Sequence, residues 1–559
     1  MRRTLRWAAT AVAAALILTS CASQRDNDDP TGEGGEDTGG GGTSVGDATF
    51  TFAASANPGS LDPAFASDGE SFRVARQIFE GLVGTVPGTA DPAPLLAEDW
   101  DVSDDGLEYT FHLKEGVQFH DGTDFNAEAV CFNFERWNNF TGVAATESLS
   151  YYWLKVNGGY AEDGNGKYDS CEAADAATAI VRLSSPLPEF VAALSLPAFS
   201  MQSPTALEEY GADDVQGASD APVLPEYALE HPTGTGPFVF ESWSPDEQVV
   251  LTANPDYWGE QGQVGRVVFP IISDPTARRQ ALEAGDIDGY DLVGPADVVA
   301  LEEDGFEIVD RDAFNILYLG MNQAAEGLDD LTVRQAIAHA IDREALVAAT
   351  LPEGTEVATN FVPPSVVGYN DDVMQYEYDQ DQARSLLEEA GYGPDNPLTL
   401  DFTYPTNVSR PYMPTPEQVF ERIAADLEDV GITVEATPLT WNPDYLDRVQ
   451  GGPDHGLHLL GWTGDYNDTY NFIGVFFGQA SPEWGFDNPE LFEMIGDARV
   501  LPDIDEQTVA YEEANAALLE FLPGLPIAHP VPSLAFREGI VYPASPVQDE
   551  VYNLVELPE

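Results

Sequence analysis

The side chains in this sequence that could do chemistry occur in patterns that are each incomplete. His455 and His458 lie three residues apart, but no HExxH motif or zinc ribbon accompanies them. The stretch 163–166 begins like a calcium-binding loop, yet no acidic residue occupies the twelfth position, where such loops place a bidentate Glu. A Gly-x-Ser-x-Gly match at 42–46 has no strand before it and no helix after it. The absence of a catalytic constellation favours binding over catalysis, and we expect no enzymatic activity, no metal and no cofactor.

The charge of the chain excludes one class of partner. The 559 residues include 97 acidic side chains against 23 basic ones, which gives a formal net charge of −74. Only three of the basic residues are lysines, Lys114, Lys155 and Lys167. Nucleic acid is excluded as a partner because phosphate binding needs a basic face. Since 43% of the chain is hydrophobic, it has ample material for folded cores, and its length predicts two or three domains.

The N-terminus predicts export and lipid attachment. Three arginines in the first six residues precede an apolar stretch, 7–18, that is too short to span a bilayer comfortably. The end of this stretch, Leu-Thr-Ser-Cys21, resembles a bacterial lipobox, so we expect a signal peptide at 1–20 and lipidation of Cys21. An ordinary signal peptide that contains a Cys is the alternative. Residues 21–46 are rich in Gly, Asp, Glu and Thr, which predicts a flexible tether on the extracytoplasmic face of the cell membrane.

Two cysteines remain in the mature chain. Cys131 and Cys171 lie 40 residues apart. An even pair outside the cell predicts a disulfide. The alternative is a pair of small buried apolar side chains.

Apolar periodicity predicts a mixed α/β protein with several lobes and no internal repeat. Residues 331–349 are expected to form one amphipathic helix with Val333, Ile337, Ile341 and Leu346 on a single face. The other predicted elements are strands at 48–54, 107–113, 178–183, 399–404 and 433–438, and helices at 68–84, 126–137, 379–391 and 416–431.

One segment carries a recognisable signature, PLLAEDWDVSDDGLEYTFHLKEGVQFHDGTDFNAEAVCFNFERW at 94–136. It resembles the solute-binding proteins of peptide and nickel ABC importers, known as family 5. The resemblance extends over nearly the whole mature chain through ANPGSLDP (56–63), IFEGLV (78–83), TGTGPFVFESW (233–243), NPDYWG (254–259), RRQALEAGDID (278–288), LYLGMN (317–322), VRQAIAHAIDREALV (333–347), YDQDQARSLLEEAGY (378–392) and GWTGDYND (461–468). We expect most of these segments to be scaffold.

The resemblance implies a three-lobed, periplasmic-binding-protein-like clamshell of type II that closes around its ligand. Lobe I would comprise 47–84, 187–312 and 529–559, an inserted lobe II would comprise 85–186, and lobe III would comprise 313–528. It also implies delivery of the solute to ABC permease subunits with cytoplasmic ATPases. We expect a monomer that contacts the membrane only through its lipid.

The segment GWTGDYND supplies the main ligand-binding prediction. In peptide-binding relatives the Asp of this motif holds the peptide α-ammonium, and the matching residue here is Asp465. The resemblance implies that Trp462, Thr463 and Trp441 border the ligand. Arg448 is a candidate partner for a ligand carboxylate, with an ordinary salt bridge as the alternative. Asn57 could add a polar group from lobe I, with a turn cap as the alternative.

Other ligands and another class of function remain open at this point. The same architecture could bind an oligosaccharide, stacked on Trp441, Trp462, Trp484 and Tyr466, or a metal chelate or glutathione-like molecule. A receptor that signals without transport and a lipid-anchored hydrolase are the more distant alternatives.

Overall fold

The computed structural model describes residues 46–219 and 221–558. The predicted signal peptide, Cys21 and nearly all of the tether lie outside these residues. Among the described residues, no helix is long and apolar enough to cross a membrane.

The described residues contain strands throughout. These are β1 (Ala48–Ala53), β2 (Val83–Thr85), β3 (Pro92–Pro94), β4 (Ala97–Val102), β5 (Glu108–Leu113), β6 (Tyr168–Asp175), β7 (Thr178–Leu183), β8 (Gln216–Ala218), β9 (Ala221–Val223), β10 (Phe238–Ser244), β11 (Gln248–Ala253), β12 (Val264–Pro270), β13 (Gly289–Tyr290), β14 (Glu307–Asp310), β15 (Asn315–Met321), β16 (Glu356–Val357), β17 (Thr399–Thr406), β18 (Thr433–Thr440), β19 (Leu457–Thr463), β20 (Gly524–His529) and β21 (Ser533–Phe536).

Helices alternate irregularly with these strands. The α-helices are α1 (Gly69–Ile78), α2 (Ala127–Asn138), α3 (Tyr151–Asn157), α4 (Phe190–Ala193), α5 (Pro204–Glu209), α6 (Glu226–Glu230), α7 (Pro275–Ala284), α8 (Pro295–Glu303), α9 (Leu331–Ala340), α10 (Arg343–Thr350), α11 (Gln380–Glu389), α12 (Pro416–Asp429), α13 (Leu446–Val449), α14 (Val475–Phe477), α15 (Pro489–Arg499) and α16 (Ile504–Phe521). The mixed α/β class predicted from the periodicity is confirmed.

Three larger sheets organise the molecule. The seven-stranded sheet has the order β10-β11-β12-β1-β13-β21-β14 and draws on both ends of the described chain. The four-stranded antiparallel sheet has the order β4-β5-β7-β6. The six-stranded sheet has the order β16-β20-β15-β19-β17-β18, with β15 buried along its whole length between β19 and β20. Each of these sheets packs against hydrophobic clusters of buried residues, and we call the segments around the seven-, four- and six-stranded sheets the three packing units.

Two predicted helices are shorter than the periodicity suggested. The 331–349 prediction is wrong as a single helix, because α9 ends at Ala340 and Asp342 caps α10 by accepting the amide N–H of Ala345 at 2.9 Å. The 68–84 prediction overshoots as well, because α1 ends at Ile78 and the carbonyl of Glu80 instead accepts the N–H of Met201 at 2.8 Å. In both places the helix ends at a local hydrogen bond, although the apolar pattern of the sequence continues beyond it.

Three of the scaffold motifs meet at the side chain of Glu80. Its carboxylate accepts hydrogen bonds from Thr235 Oγ1 at 2.7 Å, Trp258 Nε1 at 2.8 Å and the Tyr257 hydroxyl at 2.9 Å. The side chain of Glu80 is buried, and the ammonium of Lys114 lies 4.4 Å from the Trp258 ring. These motifs therefore tie the turn before β10, the segment after β11 and the end of α1 together, as expected for scaffold motifs.

The predicted disulfide is present between Cys131 of α2 and Cys171 of β6. Their Cα atoms lie 5.2 Å apart, within the ordinary range for a bridged pair. The bridge fastens a helix to the edge strand of the four-stranded sheet.

Candidate functional site

Asp465 stands just beyond the end of β19. Residue 464 is necessarily glycine here, because a Cβ at that position would collide with the rings of Phe314 and Phe472. The N–H of Gly464 donates to the carbonyl of Phe314 at 2.8 Å, which continues the pairing of β19 with the chain before β15. The six-stranded sheet thus projects Asp465 from a rigid strand end.

The carboxylate of Asp465 is held by two side chains from different parts of the molecule. Asn471 Nδ2 donates to Asp465 Oδ2 at 3.0 Å, and its Oδ1 accepts the Asp465 N–H at 2.8 Å. The Tyr152 hydroxyl donates to Asp465 Oδ1 at 2.8 Å. Tyr152 belongs to α3 and to the hydrophobic core of the four-stranded sheet, so this bond joins two packing units.

The electrostatics of Asp465 suit a cationic ligand. Burial raises the pKa of Asp465 to about 6, while the hydrogen bonds from Asn471 and Tyr152 and the charge of Arg76 oppose that rise. The carboxylate is therefore ionised at neutral pH but incompletely compensated by its surroundings. A positive group placed beside it would restore the hydration energy that burial removes.

A cavity of about 110 Å³ adjoins this carboxylate. Tyr151, Tyr152 and Lys155 of α3 line one side, and Asp465, Asn471 and the segment 474–479 line the other. The cavity therefore lies between the unit of the four-stranded sheet and the unit of the six-stranded sheet. A solute bound there would contact both units at once.

The predicted residues Trp462, Thr463 and Trp441 do not line the cavity, and only Trp462 contacts the site, through Asn471. Trp462 Nε1 donates to Asn471 Oδ1 at 3.3 Å, which orients the amide that binds Asp465. Thr463 is the last residue of β19 and pairs with Asn315. Trp441 is partly exposed and stacks on Tyr445 with ring centroids 5.7 Å apart.

Two predicted ligand contacts have partners inside the protein. Arg448 Nη2 lies 3.4 Å from Asp401 Oδ2, and its Nε lies 3.3 Å from Thr403 Oγ1, so its charge already faces a carboxylate. Asn57 donates to Asp246 Oδ1 at 2.5 Å and accepts the Asp246 N–H at 2.8 Å, an arrangement that fixes a surface turn. Neither residue lines the cavity beside Asp465.

Sequence reasoning missed two residues of the site, Asn471 and Tyr152, and a further arginine, Arg410, that does not line the cavity. Asn471 could have been found, since it follows Asp465 by six residues in the same segment. Tyr152 gave no signal, because it lies 313 residues from Asp465 in the chain. Arg410 also gave none: its guanidinium lies 4.4 Å from the Trp441 ring centroid, and it makes no ion pair with any residue that the structure describes.

The carbohydrate-stacking set is not assembled on the cavity. Trp484 is only 1% exposed and packs against Phe477 with centroids 4.7 Å apart. Tyr466 does line the cavity, although it is only 5% exposed, whereas Trp441, Trp462 and Trp484 do not line it.

Side chains that could ligate a metal lie away from the cavity beside Asp465. Within the described chain, ligand atoms of Glu226, Glu230 and His231 lie within 4.8 Å of one another, and both glutamates are solvent-exposed. His455 and His458 are buried with ring centroids 5.0 Å apart, and His458 Nε2 faces Glu483 Oε1 at 3.3 Å. The histidine pair belongs to a buried polar network.

Comparisons with known proteins identify the class. Residues 91–484 match the family described as bacterial extracellular solute-binding proteins, family 5 middle. The chain is 31% identical to the dipeptide-binding protein of Escherichia coli strain K12 over 499 residues, which cover 86% of this chain and 89% of that protein. It is 30% identical to heme-binding protein A of Haemophilus influenzae over 546 residues, covering 93% of each chain.

A solved structure supports the same family assignment. The ABC transporter-associated periplasmic binding protein DppA from Helicobacter pylori, in complex with the peptide STSA, superposes with a TM-score of 0.76 at 27% identity, over 92% of this chain and 99% of that one. The chain belongs to family 5 of the bacterial extracellular solute-binding proteins, a family of binding proteins. The multi-lobed, periplasmic-binding-protein-like fold predicted from the sequence is confirmed.

Proposed function

We propose that this protein captures short peptides between two lobes and delivers them to an ABC permease driven by cytoplasmic ATPases. The observation that carries this proposal is the Asp465 carboxylate, which is buried, incompletely compensated and placed at a cavity between two packing units. Relatives named as dipeptide-binding proteins and the peptide complex of the H. pylori protein support the same ligand class.

The peptide α-ammonium would bind at Asp465. A carboxylate only accepts hydrogen bonds, and an ammonium supplies three N–H donors and the opposite charge. In the structure the Tyr152 hydroxyl occupies part of the carboxylate's accepting capacity from across the cavity. The ammonium would enter beside it, so that solute binding adds to a contact between the two units.

The peptide carboxylate would bind at Arg410, which replaces Arg448 in this role. The Nε atom of Arg410 is buried without a hydrogen-bond partner in the described chain, whereas Arg448 faces Asp401. Trp441 and Trp462 pack in one hydrophobic cluster, which places the Arg410 guanidinium on the same unit as Asp465. A planar guanidinium stacked on an aromatic ring is well suited to bidentate carboxylate recognition.

The proposed lobes follow the three sheets. The seven-stranded sheet would form lobe I, the four-stranded sheet the inserted lobe II, and the six-stranded sheet lobe III. The chain passes between the first and third units near 312 and again near 529, where β14 precedes β15 and β20 precedes β21. Two crossings of this kind would allow a hinge motion that opens and closes the cavity.

The cellular setting belongs to the same proposal. The signal peptide at 1–20, lipidated Cys21 and tether to 46 would hold the binding unit as a monomer at the extracytoplasmic face of the membrane. There it would bind its solute without converting it chemically.

The test is peptide-dependent thermal stabilisation of the purified protein. At a dipeptide concentration 100 times Kd, binding should stabilise the folded state by about 2.7 kcal/mol. Asp465→Asn should remove this gain, whereas Asp447→Asn, an exposed carboxylate on the same unit, should retain it. Full stabilisation of the Asp465→Asn protein would refute the assignment. Heme and nickel–histidine serve as comparison probes, and a gain with either one but with no dipeptide would reassign the ligand.

A further inference from the structure

A buried arginine joins the units of the four-stranded and six-stranded sheets. Arg499 ends α15, whose Ile495 and Ala498 pack in one hydrophobic cluster with residues of β15 and β19. Glu189 precedes α4, whose Phe190 belongs to the core of the four-stranded sheet. Arg499 Nε donates to Glu189 Oε1 at 2.6 Å, and the two side chains are 14% and 0% exposed. This ion pair therefore bridges two units and is shielded from water.

The same guanidinium contacts both walls of the cavity beside Asp465. Its Nη2 atom donates to the carbonyl of Lys155 at 3.3 Å, and Lys155 lies on α3. Its central carbon lies 3.8 Å from the ring centroid of Tyr470, in the segment after β19. Lys155 and Tyr470 both line the cavity, whereas Arg499 does not. This side chain therefore contacts the two walls without facing a bound solute.

Two other hydrogen bonds join the segments on either side of this interface, and neither pairs two charges. The Tyr152 hydroxyl is a neutral donor to Asp465. Asn467 Nδ2 donates at 2.8 Å to Asp91 Oδ1, just before β3, and this contact is exposed. A buried bond between an ionised donor and an ionised acceptor is stronger and more directional than either. The ion pair is therefore the contact that depends most on how the two units are placed.

Glu189 depends on Arg499 for its side-chain hydrogen bonding in this arrangement. Arg499 donates to one carboxylate oxygen, and the other is buried without a hydrogen-bond partner in the part of the chain that the structure describes. Closing the units without the arginine would bury an unpaired carboxylate, which is costly. A displacement of about 1 Å would weaken the bond in the same direction. The pair therefore favours one relative placement of the two walls.

Lys167 would keep a positive charge near Glu189 when the units separate. It immediately precedes β6 and so belongs to the unit of the four-stranded sheet. Burial and the charge of Arg499 lower the pKa of Lys167 to about 8, and the charge of Glu189 opposes this shift. After separation, water and Lys167 would compensate Glu189, so opening leaves no unpaired charge in the protein interior. The pair can therefore form and break in each cycle of capture.

We propose that Arg499 is a positioning residue for solute capture, whose ion pair with Glu189 favours the closed arrangement and aligns the two walls of the cavity. Loss of the guanidinium would release Lys155 on one wall and Tyr470 on the other. The inference rests on the proposed function, because closure serves capture only if a solute binds in this cavity.

The first experiment measures the Kd of alanyl-phenylalanine by calorimetry for the wild type, Arg499→Gln, Glu189→Gln and the double variant. Each single variant should raise Kd about 30-fold, because it leaves one buried charge without its partner. The double variant should lose less than the product of the two single losses, since neither charge remains. A Kd of Arg499→Gln that stays within about twofold of the wild type would overturn the proposal.

Arg182→Gln is the matched control. Arg182 pairs with Glu108 at 2.9 Å inside the unit of the four-stranded sheet, and both side chains are partly exposed. Removing this pair should change the dipeptide Kd by less than about twofold. A loss equal to that of Arg499→Gln would show that the affinity responds to any lost arginine and would contradict the role assigned to this one.

Dissociation kinetics separate a positioning role from a loss of folded protein. In stopped-flow measurements Arg499→Gln should release the dipeptide faster, while its association rate changes less than about threefold. Arg499→Lys keeps the charge, so its Kd should lie between those of the wild type and Arg499→Gln. A protein that is only less well folded would show fewer binding sites in calorimetry and a wild-type dissociation rate. That pattern in Arg499→Gln would contradict the proposal.

The ligand-free proteins separate the ion pair from the peptide assignment. In small-angle scattering Arg499→Gln should have a larger radius of gyration than the wild type, because the closed arrangement is less favoured, and Arg182→Gln should match the wild type. Equal radii for Arg499→Gln and the wild type would overturn the role of the pair without bearing on the peptide ligand. Failure of every dipeptide to bind the wild type, with the difference in radius intact, would refute the ligand and leave the role of the pair in closure standing.

Discussion

Glu80 and Asp465 are both buried carboxylates whose pKa values are raised by burial, yet their surroundings differ. Glu80 receives three side-chain donors, two of them on one oxygen, within the scaffold that joins three sequence motifs. Asp465 receives two side-chain donors, one from each of two packing units, and adjoins a cavity. The Glu80 carboxylate takes its three donors from the scaffold, whereas one of the two donors to Asp465 reaches it from the opposite side of a cavity.

This difference separates a structural charge from the charge that we propose binds the ligand. A donor that belongs to the protein lowers the cost of burial permanently, so it strengthens the scaffold and leaves nothing for a ligand. A carboxylate whose compensation is incomplete is costly until a cation arrives, so part of the binding energy comes from relieving that cost. Burial and a raised pKa alone do not distinguish the two cases; the number and origin of the donors do.

The largest effect is expected from Glu80→Ala. Removing this carboxylate leaves three buried donors without an acceptor, which should lower the free energy of unfolding by about 3–5 kcal/mol. Chemical denaturation of the ligand-free protein measures this loss. Dipeptide affinity of the folded fraction should stay within twofold of wild type. A large change in affinity would show that Glu80 also serves the ligand site.

Asp465→Asn should have the opposite effect on stability. The pKa of Asp465 is about 6 in the folded protein against an ordinary value of 3.8, so the folded state binds its proton more tightly than the unfolded chain does. The wild type therefore loses stability from this group as pH rises from about 4 to about 6. The neutral amide removes that loss and should stabilise the ligand-free protein at pH 7.5 by about 1–3 kcal/mol.

The pH dependence provides the check on this prediction. Denaturation of both proteins should show the difference at pH 7.5 and its disappearance near pH 3.5, where wild-type Asp465 is protonated in both states. A destabilised Asp465→Asn protein at pH 7.5 would make Asp465 a structural residue like Glu80.

The smallest effects are expected from two matched variants, each of which removes a single tyrosine hydroxyl donor from one of the two carboxylates. Tyr257→Phe removes a donor from Glu80 and should cost about 1–2 kcal/mol of stability with unchanged dipeptide affinity. Tyr152→Phe removes the donor that joins two units at Asp465, and it should raise the dipeptide Kd about three- to tenfold, the worth of an ordinary hydrogen bond of about 1 kcal/mol. Equal effects of the two variants on the dipeptide Kd would contradict the distinction between Glu80 as a structural carboxylate and Asp465 as the proposed ligand-binding one.

Local sequence predicted most elements of the fold but not all their limits. Strand 178–183 was predicted with its observed bounds, and the helix predicted at 126–137 is α2, which Asn126 caps by accepting the N–H of Ala129 at 3.0 Å. The break at Ile341 was missed because an apolar stripe continues through it, and only the capping geometry of Asp342 reveals a second helix. Periodicity reports which face is buried, whereas helix ends depend on individual hydrogen bonds.

The site itself was only half accessible to sequence reasoning. Asp465 and Trp462 lie in one short segment, so a resemblance over eight residues could find them together. Arg448 was an attractive cation in the sequence because arginines are scarce, but it lies on α13 and its neighbour Asp401 lies on β17, 47 residues away. Whether a charge is free or paired depends on contacts between elements distant in the chain, which composition and spacing do not contain.

The sequence by itself determined the class of protein, the mixed α/β fold and one carboxylate among 97 acidic residues as the candidate for ligand binding. Short-range patterns suffice for these because periodicity, capping residues and a motif are each contained in adjacent residues. Only the tertiary structure shows that Tyr152 reaches Asp465, that Arg448 is paired with Asp401 and that Arg499 is paired with the buried Glu189. Each of these depends on the packing of units distant in the chain, where burial and the proximity of other charges set the properties of a side chain.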